Sequence, residues 1–426
     1  MSYLGPVWDN ALWDISPWAL GAQPPGGSGG WGDDWEWWIE YRTTNAASSQ
    51  VAQDITANVV EARWSTDSHA MGDGTFRGDL QPGKLTLRCW DPTGSIDGRT
   101  YFTFATIWAL YKPLGACWCW WIDDFTRPLM PRGDPGYSDL VITADSLGPP
   151  LTNPYPSPNP VRPAETVNAR LAWIVGDINY QSGRGMFNSP PWELVAAVQN
   201  QTVKASTLDN LSLAPGYLPL IRDAASDGVA WLSPYRPGDL GTLGRMRLRY
   251  ERWETVTRRA MPPGMITAGP PIAQQLSPMT RVSFTSTEPD GSTHDWANVV
   301  NAYYRGGTGP TGLRVYAQTW SPNPDLTPLV NTMLAMVTVP SNTYWISSVE
   351  SDAGVRRHAD GSPSTDYWDP TAHVWSPIDV MTFQHPVQTS ATITARVVST
   401  DHRLSATVWQ SAHTLELFVA PSPLSA

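Results

Sequence analysis

Lysine, cysteine and charge are all scarce in this chain, and each shortage excludes something. Lys84, Lys112 and Lys204 are the only lysines among 28 basic residues, against 39 acidic ones, for a net charge of −11. That balance argues against the clustered cationic face that counterion-release binding to nucleic acid requires. Cys89, Cys117 and Cys119 are too few, and odd in number, for a disulfide framework, which predicts synthesis in a reducing cytoplasm. No uninterrupted apolar run approaches the ~18 residues of a membrane-spanning helix, so stable membrane insertion is not expected. The opening MSYLGPVWDNALWD has neither a basic n-region nor an apolar h-region, so no secretory signal is expected. Charged residues make up 16%, below the usual ~25%, while the hydrophobic fraction is 41%. A folded protein with a polar, neutral, turn-rich surface follows, not a disordered one.

What is abundant is punctuation and tryptophan. The 34 glycines and 40 prolines in 426 residues fit many short strands joined by ordered turns. The length allows two to four domains of roughly 100–200 residues. Residues 1–34, ending in AQPPGGSGG and the residues after it, read as an amino-terminal arm or linker. Residues 35–150 read as a β domain. In it WEWWIEYR is β-rich, KLTLRCW places Leu85, Leu87 and Cys89 on one face, and Asp91-Pro92-Thr93-Gly94 closes that strand. YFTFATIWALY, ACWCWWIDDF and SDLVITADSL follow as further strands. The Pro-rich 151–163 is expected to run extended.

Residues 164–260 read as a small mixed α/β domain. Val167, Leu171, Ile174 and Ile178 draw an apolar stripe on a helix whose first turn carries Pro163 and Glu165. A second helix is expected from Pro215 to Gly228, followed by a hairpin of VAWLSPY and RMRLRYERW. Residues 261–426 read as a second β domain with one inserted helix at DLTPLVNTMLAMV, closing in the strands TYWISSVES, IDVMTFQHP, TITARVVST, RLSATVW and TLELFVA. The fold class is therefore mainly β with an α+β insert, that is, two β-barrel or sandwich domains plus a small mixed α/β domain.

The segment GACWCWWIDDF, Gly115 to Phe125, is the richest in chemistry. Strand alternation puts Cys117, Cys119 and Trp121 on one face and Trp118, Trp120 and Ile122 on the other. Cys117 and Cys119 could hold a soft metal only if Cys89 joined them, and no histidine sits at ligand spacing. Buried free cysteines are the simpler expectation. Trp118, Trp120 and Ile122 are assigned to a core or subunit-interface strand. Asp123 and Asp124 are adjacent on a strand, so they are expected on opposite faces and not as a glycosidase pair. GGSGG at 26–30 matches two glycine motifs literally, but without the strand before it and helix after it that either mechanism needs. Histidines 69, 294, 358, 373, 385, 402 and 413 form no catalytic pattern. His413 and Glu416 have helical metal spacing, but HTLELFVA alternates as a strand. No catalytic, metal or cofactor site is assigned, and a binding or structural protein is expected, not an enzyme.

Four segments in series carry a resemblance: Pro82-Gly83-Lys84-Leu85-Thr86-Leu87, Asp91 to Gly94, Trp121-Ile122-Asp123-Asp124, and Val141-Ile142-Thr143-Ala144-Asp145. In this order and spacing they resemble the opening domain of the tail-tip hub (baseplate-hub) family of tailed bacteriophages, which includes the amino-terminal module of tail-associated lysins and many minor tail proteins. Pro215 to Trp253 looks like that family's next unit. ANVVNAYYRGG and the closing strands are similar to its last, so the likeness spans roughly residues 50–420. The resemblance implies two tube-like β domains per copy and a homotrimer forming a pseudo-sixfold ring. That ring would join the hexameric tail tube, through the distal tail protein, to the tip of a siphophage-like virion. It would lie beside the tape-measure protein and open for DNA ejection, with genomic DNA passing through without specific binding. The chain carries no added peptidase, lysozyme-like or receptor-binding extension up to Ala426, so the enzymatic activity of some relatives is not implied. A receptor- or carbohydrate-binding minor tail protein, suggested by the 23 tryptophans, and a polysaccharide-degrading enzyme using dispersed carboxylates are the alternatives.

Overall fold

The computed structural model of the chain describes residues 34–42, 50–66, 82–96, 105–127, 139–152, 165–185, 189–196, 202–203, 217–224, 228–235, 244–252, 257–261, 266–268, 273–274, 281–287, 292–300, 315–320, 344–345, 348–355, 374–376, 379–384, 392–405 and 408–417. The amino-terminal arm, GGSGG and the helix expected at DLTPLVNTMLAMV lie outside them.

The first β unit contains β1 (Trp35–Arg42), β2 (Gln50–Asp54), β3 (Val59–Ser65), β4 (Lys84–Trp90), β5 (Thr106–Tyr111), β6 (Ala116–Thr126) and β7 (Asp139–Asp145). DITANVVEARWS is not one strand, because a short 3-10 turn at Thr56–Asn58 separates β2 from β3. Leu85, Leu87 and Cys89 on β4 are all buried, as their alternation requires. The strands lie in the order β3-β4-β7-β6-β5-β1-β2, with antiparallel neighbours. This sheet rolls up. Trp35 on β1 meets Trp64 on β3 edge-on with ring centroids 5.9 Å apart, although four strands lie between them in the sheet. The inner face is a tryptophan-rich core that also takes in Ile107, Trp120 and Ile142.

The α/β unit follows. A helical turn, α1 (Pro149–Thr152), occupies the start of the Pro-rich segment that was expected to be extended, and buries Leu151. Next come β8 (Glu165–Thr166), α2 (Val167–Gly183), β9 (Trp192–Ala196), β10 (Thr202–Val203), α3 (Tyr217–Ala224), β11 (Gly228–Leu232) and β12 (Met246–Arg252). The four stripe residues of α2 are all fully buried. The helix starts at Val167 and not earlier, because the Thr166 hydroxyl accepts from the Ala169 N–H at 3.1 Å and caps it. Pro163 and Glu165 therefore precede the helix and are not in its first turn. Glu165 instead accepts from the buried Arg170 at 2.5 Å. The expected hairpin forms as β11 against β12, and β9 adds to it in parallel.

The closing region contains β13 (Thr257–Ala260), β14 (Ile266–Ala268), β15 (Ala273–Gln274), β16 (Arg281–Thr287), β17 (Thr293–Val300), β18 (Val315–Trp320), β19 (Tyr344–Trp345), β20 (Ser348–Val355), β21 (Asp379–Gln384), β22 (Thr392–Ser405) and β23 (Val408–Leu417). TITARVVST and the start of RLSATVW are one 14-residue strand, β22, not two. Its first part, Thr392–Arg396, pairs with β21, and its last part, Asp401–Ser405, pairs with β3 of the first unit. A register shift against β23 between Val397 and Ser399 marks the changeover. One strand thus belongs to both β units and makes them a single 13-stranded sheet. β13, placed before the expected boundary at 260, pairs with β21 on the closing side. The protein is mainly β with a small mixed α/β unit.

Candidate functional site

Apart from Gly115, which ends the preceding turn, GACWCWWIDDF lies in β6, whose two faces enter two different cores. Trp120 is buried in the core inside the rolled sheet, and Trp118 and Ile122 pack partly buried against it. Cys119 and Trp121 are buried on the outer side, against α2, α3 and β12. The face of this strand that carries Cys119 and Trp121 is covered by the chain's own α/β unit. The same holds for β1 and β5: Trp38 and Trp108 stack on the outer side at 5.8 Å and 5°. Beside them the buried Glu40 accepts from the Gly244 N–H at 2.7 Å.

The three thiols do not converge, because Cys89 belongs to the inner core and Cys119 to the outer one. Burial pushes both thiols well above the ordinary cysteine pKa, which keeps them protonated and poorly nucleophilic. Among the described residues no cluster of His, Cys, Asp and Glu could hold a metal ion.

Asp123 and Asp124 break the simple alternation. Ile122 pairs with Ala144 and Asp124 with Thr143, so Asp123 is the extra residue of a β-bulge. Asp123 ends up close enough to Asp145 that burial first, then the Asp145 charge, raises its pKa, with Lys84 opposing. Asp145, on β7 opposite Lys84, is itself raised by burial despite accepting from the Leu147 N–H at 2.8 Å.

The two histidines with described side chains are hydrogen-bonded core groups. His402 stacks on Trp64 at 4.5 Å and accepts the Trp409 indole N–H at Nδ1, 3.2 Å away. An indole N–H can only donate, so Nδ1 is an acceptor and the neutral ring carries its proton on Nε2. His413, fully buried, bridges Ser351 at 2.8 Å and Thr400 at 3.0 Å across β20, β23 and β22. His413 and Glu416 lie three apart on β23, on opposite faces of a strand.

The three parts of the chain leave a cavity of about 310 Å³ between them. One wall is the first half of β6, including Cys117 and Trp118. A second is the β11–β12 hairpin, with Trp231, Ser233 and Arg247. The third is Trp375, Asp379 and the β22 changeover, including Ser399 and His402. Trp118 was read from the sequence; Trp231, Arg247 and Trp375 were not. The available signal was RMRLRY, where Met246, Leu248 and Tyr250 are buried and the alternating Arg245, Arg247 and Arg249 lie on the other face.

Arg247 is held in place. Its Nε donates to the Ser233 carbonyl at 2.9 Å, and its guanidinium carbon lies 4.1 Å from the Tyr235 ring centroid. Burial, with Arg249 nearby, pushes its pKa down, and Glu193 acts in the opposite sense. Glu193 is shared with Arg245 at 3.6 Å and the Tyr235 hydroxyl at 3.5 Å.

No family model matches the chain. No curated protein matches it either. Solved structures do. The tail protein from Neisseria meningitidis MC58 matches with a TM-score of 0.50 at 10% identity, covering 91% of this chain and 99% of its own. The 43 kDa tail protein of prophage MuSo2 from Shewanella oneidensis gives 0.45 at 10% identity, over 90% of this chain and 98% of its own. A type VI secretion component of Escherichia coli, described as structurally similar to the T4 bacteriophage tail proteins gp27 and gp5, gives 0.42 at 8% identity, over 87% and 77%. At these identities the likeness is one of fold, and it is the Neisseria protein that establishes it.

Proposed function

We propose that this chain is a structural component of a bacteriophage tail, and within it the hub of the tail tip. The observation that carries the reading is that the likeness to a tail protein takes in 91% of this chain and 99% of the other, so a whole architecture is matched and not one common module. In the proposed assembly three copies form a ring around the channel, each giving a β unit at 35–150 and another at 261–426, with the α/β unit of 164–260 bracing them. The strand β22 suits this role, because a strand shared by both units transmits load through a continuous ladder and not through a flexible linker. A net charge of −11 suits a conduit for DNA, since it removes the counterion-release attraction. The partners in this reading are the distal tail protein, the tape-measure protein and other tip proteins, and its place is the virion.

The reading assigns no catalysis. The alternative of a carbohydrate-binding surface drew on the tryptophans, and none of those whose side chains are described is exposed. The test is the chain's mass in solution with its tail partners, together with its position in a reconstruction of the tail. The expected result is threefold density on the tube axis at the tip. A stable monomer that occupies no position on that axis would sink the hub reading.

A further inference from the structure

We propose that the cavity between β6, the β11–β12 hairpin and β22 is a binding site for a small organic carboxylate with an aromatic or branched apolar body, its anionic head held by Arg247. Three observations converge on this chemistry. The first is a guanidinium that makes no ion pair among the described residues, Glu193 acting on it only from a distance. The Nε of Arg247 is used on Ser233, the ring face of Tyr235 orients the guanidinium, and among the described residues no acceptor meets Nη1 or Nη2. Those two nitrogens form the planar fork that matches a carboxylate.

The second is the composition of the walls. Trp118, Trp231 and Trp375 give apolar faces on three sides, while the polar groups nearby are mostly occupied. Asp379 accepts the Ser376 N–H at 2.7 Å, and His402 Nδ1 is taken by Trp409. The third is size and position. About 310 Å³ lies at the small end of the ~300–1,000 Å³ range of ligand pockets, enough for a ring system with one acidic group. Cavities where packed units of a chain meet are also favoured places for ligands. The lowered pKa of Arg247 points the same way, since a bound anion would offset its desolvation.

A free carboxylate and the chain end of a peptide present the same head group. The test uses the full-length chain and three probes: indole-3-acetate, its neutral analogue indole-3-acetamide, and the peptide N-acetyl-Gly-Gly-Trp. Titration by calorimetry is expected to show the acid binding with a Kd of about 1 mM or tighter and at least about tenfold more tightly than the amide, the share of one charge-assisted contact. Arg247→Met is expected to remove that preference while the chain still unfolds in one cooperative thermal transition, lowered only by the loss of the Ser233 and Tyr235 contacts. Arg249→Met, which keeps Arg247 but lowers the local charge equally, is expected to retain it. Competition by the peptide would identify a chain end as an admissible source, and its exclusion would restrict the site to small molecules. Equal affinity for acid and amide, no binding of the acid by the folded chain, or equal losses in the two arginine variants would each overturn the proposal.

Discussion

Asp91 and Arg127 form a buried ion pair that fastens the end of β4 to the end of β6. The Asp91 carboxylate is fully buried and also accepts the N–H groups of Ser95 and Ile96, both at 2.9 Å. Arg127 additionally donates to the Ile96 carbonyl at 2.7 Å. The turn that the Asp91-Pro92-Thr93-Gly94 sequence announced, with Gly94 at φ 66, is thus also the socket for a distant arginine.

Replacing Asp91 with alanine leaves Arg127 without its counter-charge and is expected to cost about 3–5 kcal/mol, read from urea unfolding. The pH dependence has a definite sign. Burial alone would raise the Asp91 pKa, but the hydrogen bonds from Ile96, Arg127 and Ser95 outweigh it and hold the folded-state value below normal. Its contribution to stability is therefore complete above the unfolded carboxylate value of ~3.9 and is lost as pH falls through the lower folded value. The acid limb of the stability profile should flatten in the alanine variant. An unchanged acid limb would show that other carboxylates control it.

Asp123 is expected to behave in the opposite way. Its folded pKa is raised, so its ionised form is disfavoured by folding, and the penalty is present at neutral pH and disappears in acid. Asp123→Asn should raise stability by up to about 0.5 kcal/mol at pH 7, small because the side chain is exposed, and by nothing measurable at pH 3. A loss of stability at pH 7 would contradict this account of the bulge.

Gly148 has no room for a side chain. A Cβ there would lie 2.0 Å from the Trp121 ring. Gly148→Ala must push Trp121 out of the outer core and is expected to cost about 1–3 kcal/mol, with a change in near-ultraviolet circular dichroism. Wild-type stability and spectrum in this variant would show that the ring is not packed there.

Trp409 ties the closing hairpin to the inner core through its edge-on contact with Trp35, centroids 5.1 Å apart, while its indole N–H bonds across the hairpin to His402. Trp409→Phe keeps a ring but deletes the indole donor and is expected to cost roughly 1–2 kcal/mol, against about 3–5 kcal/mol for Trp409→Ala. Equal costs for the two substitutions, measured by chemical unfolding, would mean that the ring contributes nothing beyond the hydrogen bond.

Alternation and stripe spacing located what is local. Leu85, Leu87 and Cys89 share a face because a strand repeats every two residues, and Val167, Leu171, Ile174 and Ile178 share one because a helix repeats every 3.6. The same reasoning separated Cys119 and Trp121 from Trp118 and Trp120. It failed where one residue shifts the repeat, at the Asp123 bulge, and where nothing local marks a strand's length, as in the fusion of TITARVVST with the following residues into β22. The candidate site was half visible: Trp118 drew notice for its chemistry, while Arg247 and Trp375 lie far from it in the chain.

The sequence by itself determined which residues turn to the same side, that β structure dominates, and that a helix follows the Pro-rich segment, because these depend on torsions and side chains within a few residues. Only the tertiary structure decided what covers each side: the α/β unit on the outer face of β6, Arg127 in the socket of Asp91, and three tryptophans lining the same cavity as Arg247. Those pairings join segments tens to hundreds of residues apart. They are chosen by the cost of closing the chain against the apolar area and charge that closure buries, a balance struck over the whole molecule and not within any stretch of it.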